Sequence, residues 1–277
     1  GDNTMATVTG TYNIAIGRDA LKSGNAANRN IALGYRALQS NGGHNDCLAI
    51  GISSLQNSTS GVNLAIGNYG LQNNSDGNYN LGIGYTALQG NTSGDENTSI
   101  GYQAGKVNST GNKNTFVGAN AGDAYTASVA TAVGANAYTN ATSGGGTAVG
   151  NNAMANASTG ANNVAVGASA LQLITTHYDN VALGANCMGS ATGNNNTAVG
   201  MSALANTTQS ENTAIGRNAM QGTTSGKHNT AVGAFALDAA NTSHYNVAIG
   251  YNALSSYTGG GHAQADGATV VGYKAME

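Results

Sequence analysis

An aliphatic residue followed by glycine returns through nearly the whole chain, with the glycine at 17, 34, 51, 67, 84, 101, 118, 134, 150, 167, 184, 200, 216, 233, 250 and 272. Fourteen of the fifteen intervals are 16 or 17 residues. Asn stands four places before this anchor in twelve of the sixteen repeats, as at Asn13, Asn30, Asn229 and Asn246. Ala follows it by three places in thirteen, and Leu or Met follows by four in most, as at Leu21, Leu88, Met154 and Leu254. Such self-similarity makes the chain a stack of one supersecondary unit.

A unit this short cannot hold a helical hairpin, and its Gly, Asn and β-branched residues oppose helix. The pattern predicts an all-β parallel solenoid of about sixteen coils. In each coil Asn-Thr/Val-Ala-Ile/Val forms a short strand, the anchor glycine permits a bend, and the stretch through Ala-Leu forms a second strand. A polar segment such as Asn91-Thr92-Ser93-Gly94 makes the return turn. Coils stacked about 4.8 Å apart give a rod of roughly 75 Å. The repeats span 11–256 after a lead-in over 1–10. A last, longer repeat covers 257–277, and its full-strength rung Val270–Met276 leads us to expect the natural chain to continue past Glu277.

Alternate strand residues point to opposite faces. The residue before the anchor shares one face with the Thr, Val, Ile or Leu two places earlier, and the other face is Ala in twelve repeats, among them Ala165, Ala182 and Ala198. A strand apolar on both faces is covered on both. One reading puts the aliphatic residues inside the coil and the Ala column against other copies of the chain, in a parallel homotrimer, so that Glu at those three positions breaks association. The other puts Ala in a narrow interior and leaves an outward aliphatic stripe in need of a partner. The Asn column reads as structural, through hydrogen bonding along the stack.

Composition narrows the function classes. Gly numbers 42, Pro and Trp are absent, and charged residues make up only 8%. The net charge of −3 offers no footprint for nucleic acid, and no segment has the length and apolarity to insert in a membrane. The two cysteines lie eight rungs apart, Cys47 at an Asn position and Cys187 at a post-anchor Ala position, too far to pair within a chain.

The runs Asn229-Thr230-Ala231-Val232-Gly233 and Asn246-Val247-Ala248-Ile249-Gly250-Tyr251-Asn252-Ala253-Leu254 resemble the repeats of bacteriophage tail fibres and similar bacterial surface fibres. A related group is the heads of trimeric autotransporter adhesins, where the Asn lies five rather than four places before the glycine and the rung is shorter. The resemblance covers about residues 11 to 276. It implies a left-handed coil, a homotrimer and an extracellular, cell-surface or virion location. It also implies a structural and adhesive role that reaches a glycan or protein receptor on a target cell.

No catalytic constellation accompanies the repeat. Gly82-Ile83-Gly84 falls on repeat positions, so its similarity to a dinucleotide fingerprint is accidental. The five histidines share no offset from the anchor, and no Ser, His and Asp align on adjacent coils. An enzyme, a cofactor and a bound metal are therefore not expected. An ice-binding face is disfavoured too, because Thr98, Thr115 and Thr131 have aliphatic residues, not a second Thr, two places on. Binding is expected instead on Tyr residues that follow the anchor and on the long last repeat: Tyr251, Tyr257, His262 and Tyr273.

Overall fold

A computed structural model describes residues 1–190, 192–223, 225–238, 242–255 and 266–276. The chain is an all-β parallel solenoid with no helix among the described residues. It divides into two compact units, 1–143 and 144–277. The first carries β1 (Ile14–Ile16), β2 (Ile31–Leu33), β3 (Leu48–Ile50), β4 (Leu64–Ile66), β5 (Leu81–Ile83), β6 (Thr98–Ile100), β7 (Thr115–Val117) and β8 (Thr131–Val133). The second carries β9 (Gly146–Val149), β10 (Asn163–Val166), β11 (Val181–Leu183), β12 (Thr197–Val199), β13 (Thr213–Ile215), β14 (Thr230–Val232), β15 (Val247–Ile249) and β16 (Thr269–Val271). Within each unit every strand pairs with its sequence neighbour, and equivalent residues face each other: Ala15 with Ala32 in the first, Ala165 with Ala182 in the second.

Each described coil has one strand, not the two that the motif predicts. After the anchor the chain curls, because the residues two and four places on take left-handed conformations: Arg36 at φ 58° and Leu38 at φ 49°, Asn186 at φ 53° and Met188 at φ 50°. The backbone still bonds from rung to rung there, for example from Leu38 N–H to Ser54 O at 3.0 Å and from Met188 N–H to Ala203 O at 2.9 Å. The anchor itself sits at φ between 130° and 141° in every rung, a region closed to side chains. A Cβ on Gly184 would also lie 2.6 Å from the carbonyl oxygen of Gly200 in the next coil. Conformation and stacking distance both demand glycine.

Of the two ways to place the strand faces, the structure adopts the second. Ala32, Ala49, Ala65, Ala165, Ala182 and Ala198 are wholly buried inside their coils, while Ile66, Ile100, Val166 and Leu183 point outward. The homotrimer interface assigned to the Ala column is thereby corrected: that column is the interior of one chain. The reason is the width of the coil. The Leu four places after the anchor, buried in rung after rung, occupies the space opposite the strand. A Cβ at Gly82, in the Ala column, would sit 3.3 Å from Leu71 Cγ. Ala barely fits, and an inward Ile would not.

Phe116 departs from this rule and shows its basis. It holds the Ala position of β7 and is fully buried, and the Leu position of its own rung is Gly122, that of the rung before it Gly105. A Cβ on Gly122 would lie 2.5 Å from the Phe116 ring, and one on Gly105 2.7 Å. Tyr125 meets Phe116 edge-on at 5.8 Å and Tyr138 meets Tyr125 at 5.7 Å, all three rings wholly buried. The Tyr125 hydroxyl donates to Ser128 O at 3.2 Å, and burial pushes its pKa up to about 12.

The Asn column is a ladder within each unit. Each Asn Oδ1 accepts the backbone N–H of the equivalent residue in the next coil: Asn63 from Asn80 at 2.9 Å and Asn80 from Asn97 at 2.9 Å, Asn180 from Asn196 and Asn212 from Asn229 at 3.0 Å. The Nδ2 group donates to a return-turn carbonyl, as from Asn80 to Gly94 O at 2.7 Å and from Asn212 to Gly226 O at 3.0 Å. These amides thus satisfy buried backbone groups that no strand partner reaches.

Cys47 interrupts the ladder. Its amide is received by Asn30 Oδ1 at 2.9 Å, but its thiol reaches Ser60 O only at 3.6 Å, a weak substitute for an amide. Cys47→Asn should therefore raise the stability of the first unit by about 1 kcal/mol, read as a higher melting temperature. An unchanged or lower value would show that the site does not accommodate the ladder geometry. Both thiols are free and buried, and burial pushes the Cys187 pKa up to about 12.

Candidate functional site

Two surfaces of the coil carry chemistry, one on each side of the anchor-glycine corner. The first is the outer sheet face. In the first unit β1 to β5 present Ile or Leu at both outward positions, from Ile14 and Ile16 to Leu81 and Ile83. From β6 to β8 the first of these becomes Thr, with Ile100, Val117 and Val133 still beside it. The second unit repeats the pattern with Val or Thr and then Val, Leu or Ile. Val166, Leu183, Ile215 and Ile249 are each more than a third exposed, as are Ile66 and Ile100 in the first unit. A contiguous apolar band of this kind is what soluble monomers avoid.

The second surface follows the anchor. The sequence singles out Tyr251 and Tyr273 there, and the structure brings them together, ring centroids 5.6 Å apart and planes within 15°. Phe235 meets Tyr251 edge-on at 6.0 Å, and Arg217 lies over the Phe235 ring at 4.7 Å. Tyr257 and His262, the other two predicted residues, lie outside the described residues. Asp266 accepts a hydrogen bond from His244 N–H at 2.7 Å, and among the described residues no cluster of His, Cys, Asp or Glu is built to hold a metal.

The same aromatic staircase recurs in the first unit, where Tyr85 and Tyr102 also follow their anchors. Tyr69 meets Tyr85 edge-on at 5.9 Å, and Tyr85 stacks on Tyr102 at 5.7 Å with planes within 10°. Here it opens onto a groove of about 360 Å³ lined by Tyr69, Gln72, Tyr85, Thr86, Gln89, Gln103 and Lys106. Four glutamines of a column five places after the anchor hold one another along the rungs. Gln56 Nε2 donates to Gln39 Oε1 at 3.0 Å, Gln72 to Gln56 at 3.2 Å and Gln89 to Gln72 at 2.8 Å. The missed signal was this run of Gln in four successive repeats, three of which carry Tyr one or two places after the anchor, at Tyr35, Tyr69 and Tyr85.

Compared with family models, curated proteins and solved structures, the chain finds no match in any of the three.

Proposed function

We propose that this chain is a structural and adhesive segment of a trimeric extracellular fibre, of the phage tail or bacterial surface kind, whose partner is first of all itself. The observation that carries the reading is the outer sheet face of each unit, aliphatic from strand to strand and uncovered. Identical copies present identical ladders at one spacing, so three parallel chains meet face to face in register and bury the band. Pro-free, charge-poor rungs with glycine at each corner suit a fibre that must persist outside the cell. The fibre resemblance of the repeats supports the same reading, with receptor contact made from the surface beyond the corner.

Light scattering on the 277-residue chain at micromolar concentration should give three times the protomer mass. Ile66→Glu with Ile100→Glu should give a folded species of one protomer mass, because both side chains are outward and tolerate charge in the monomer but not in a dry interface. A monodisperse monomer for the unaltered chain would end the trimeric reading.

A further inference from the structure

From the groove geometry we infer that the first unit binds a hexopyranosyl oligosaccharide along its rungs, on Tyr69, Tyr85, Gln72, Gln89, Gln103 and Lys106. This deepens the adhesive half of the fibre reading and does not depend on the trimeric half, since every named residue belongs to one chain and lies beyond the corner from the outer sheet face.

Four observations converge on a sugar. Tyr69 and Tyr85 stand at 87° to each other, so the groove offers ring planes in two orientations, and the C–H faces of pyranoses pack on aromatic rings. The planar amides of Gln72 and Gln89 are fixed by their mutual hydrogen bond at 2.8 Å, which sets the donors and acceptors for hydroxyl groups in advance and lowers the ordering cost of binding. Thr86 lines the groove at only 5% exposure, and its hydroxyl finds no hydrogen-bond partner in the chain. A buried hydroxyl without a partner in a native structure calls for one, and a ligand hydroxyl entering the groove supplies it. Finally, the Gln72 and Gln89 amides follow one another at the rung spacing, about 4.8 Å, comparable to the length of one hexopyranose unit, so successive sugars meet successive amides.

A peptide strand fits less well. The backbone N–H groups of Tyr69, Thr86, Gln89, Gln103 and Lys106 already donate to carbonyls of their own or the preceding coil. Recognition falls to side chains, whereas strand addition needs free main-chain groups. Lys106 adds a cation at one end of the groove, so a uronic acid in the chain would bind there more tightly than its neutral counterpart.

The test is a printed array of neutral and uronic-acid oligosaccharides probed with the intact chain, followed by calorimetry with the oligosaccharide retained. At least one pyranosyl oligosaccharide should bind. Tyr85→Ala should weaken it by about tenfold or more, Gln89→Ala by several-fold, and Tyr85→Trp should preserve it, with circular dichroism unchanged in all three. The inference is overturned if the array shows no bound oligosaccharide, or if Tyr85→Ala and Gln89→Ala bind as the parent does. Light scattering on the same samples separates either failure from a failure to trimerise.

Discussion

Ala182→Glu should abolish the cooperative thermal transition of the second unit, while the neighbouring Leu183→Glu should leave it within a few degrees. The two positions are adjacent in β11 and differ only in the face they occupy: Ala182 is wholly buried and Leu183 is 37% exposed. The carboxylate introduced at position 182 would enter an interior already filled by Leu171 and Met188 of the Leu column, with no cation among the described buried residues of the unit. An unpaired charge taken from water costs several kcal/mol even after relaxation, and the added volume strains a coil that barely admits a methyl group. Leu183→Glu places the same charge in solvent and acts on association instead. Circular dichroism melts and scattering masses on both variants check the assignment. If Ala182→Glu folds and merely dissociates, the Ala column is an interface after all.

The architecture was legible because it rests on period. An anchor at 16 or 17 residues, preceded by an aliphatic residue, leaves little but a stacked coil, and all sixteen strands fall on the predicted positions. Which face is inside was not legible from alternation, since a period of two distinguishes the faces without ranking them. The deciding information lay elsewhere in the repeat, in Leu21, Leu38, Leu55, Leu71 and Leu88, whose bulk fills the coil and leaves room only for Ala opposite. The second strand failed for a related reason. Leu and Met are ordinary strand or helix residues, and nothing in them announces a left-handed backbone; the stacking of coils imposes it. At the surface, Tyr251 and Tyr273 could be paired from register alone. The groove of the first unit could not, because it draws on three columns at once, with Tyr69 and Gln103 two places after their anchors, Tyr85 one place, and Gln72, Gln89 and Lys106 five.

The pairing of Phe116 with Gly122 makes the volume rule testable by a reversal of sign. Phe116→Ala restores the common residue of the Ala column but removes a ring for which the Leu column has made way at Gly105 and Gly122. The vacated space stays open, and Tyr125 loses its edge-on partner. Removing a buried Phe in this way costs about 3–5 kcal/mol, which lowers the melting temperature by roughly ten degrees for a unit of this size. In the parent, Gly122→Leu should also destabilise, because its Cβ alone would come within 2.5 Å of the Phe116 ring. Combined, the two substitutions should recover most of the loss. Leu replaces Gly at φ 61°, close to the conformations that Leu71 and Leu88 adopt at the same rung position, φ 49° and 50°, and fills the space that the ring left. A double-mutant cycle should therefore give a coupling of about 2–3 kcal/mol, in the range of residues sharing one cavity. Additive losses, with the double variant less stable than either single one, would mean that coil width is set by the backbone turns at positions two and four after the anchor rather than by the side chains packed between them.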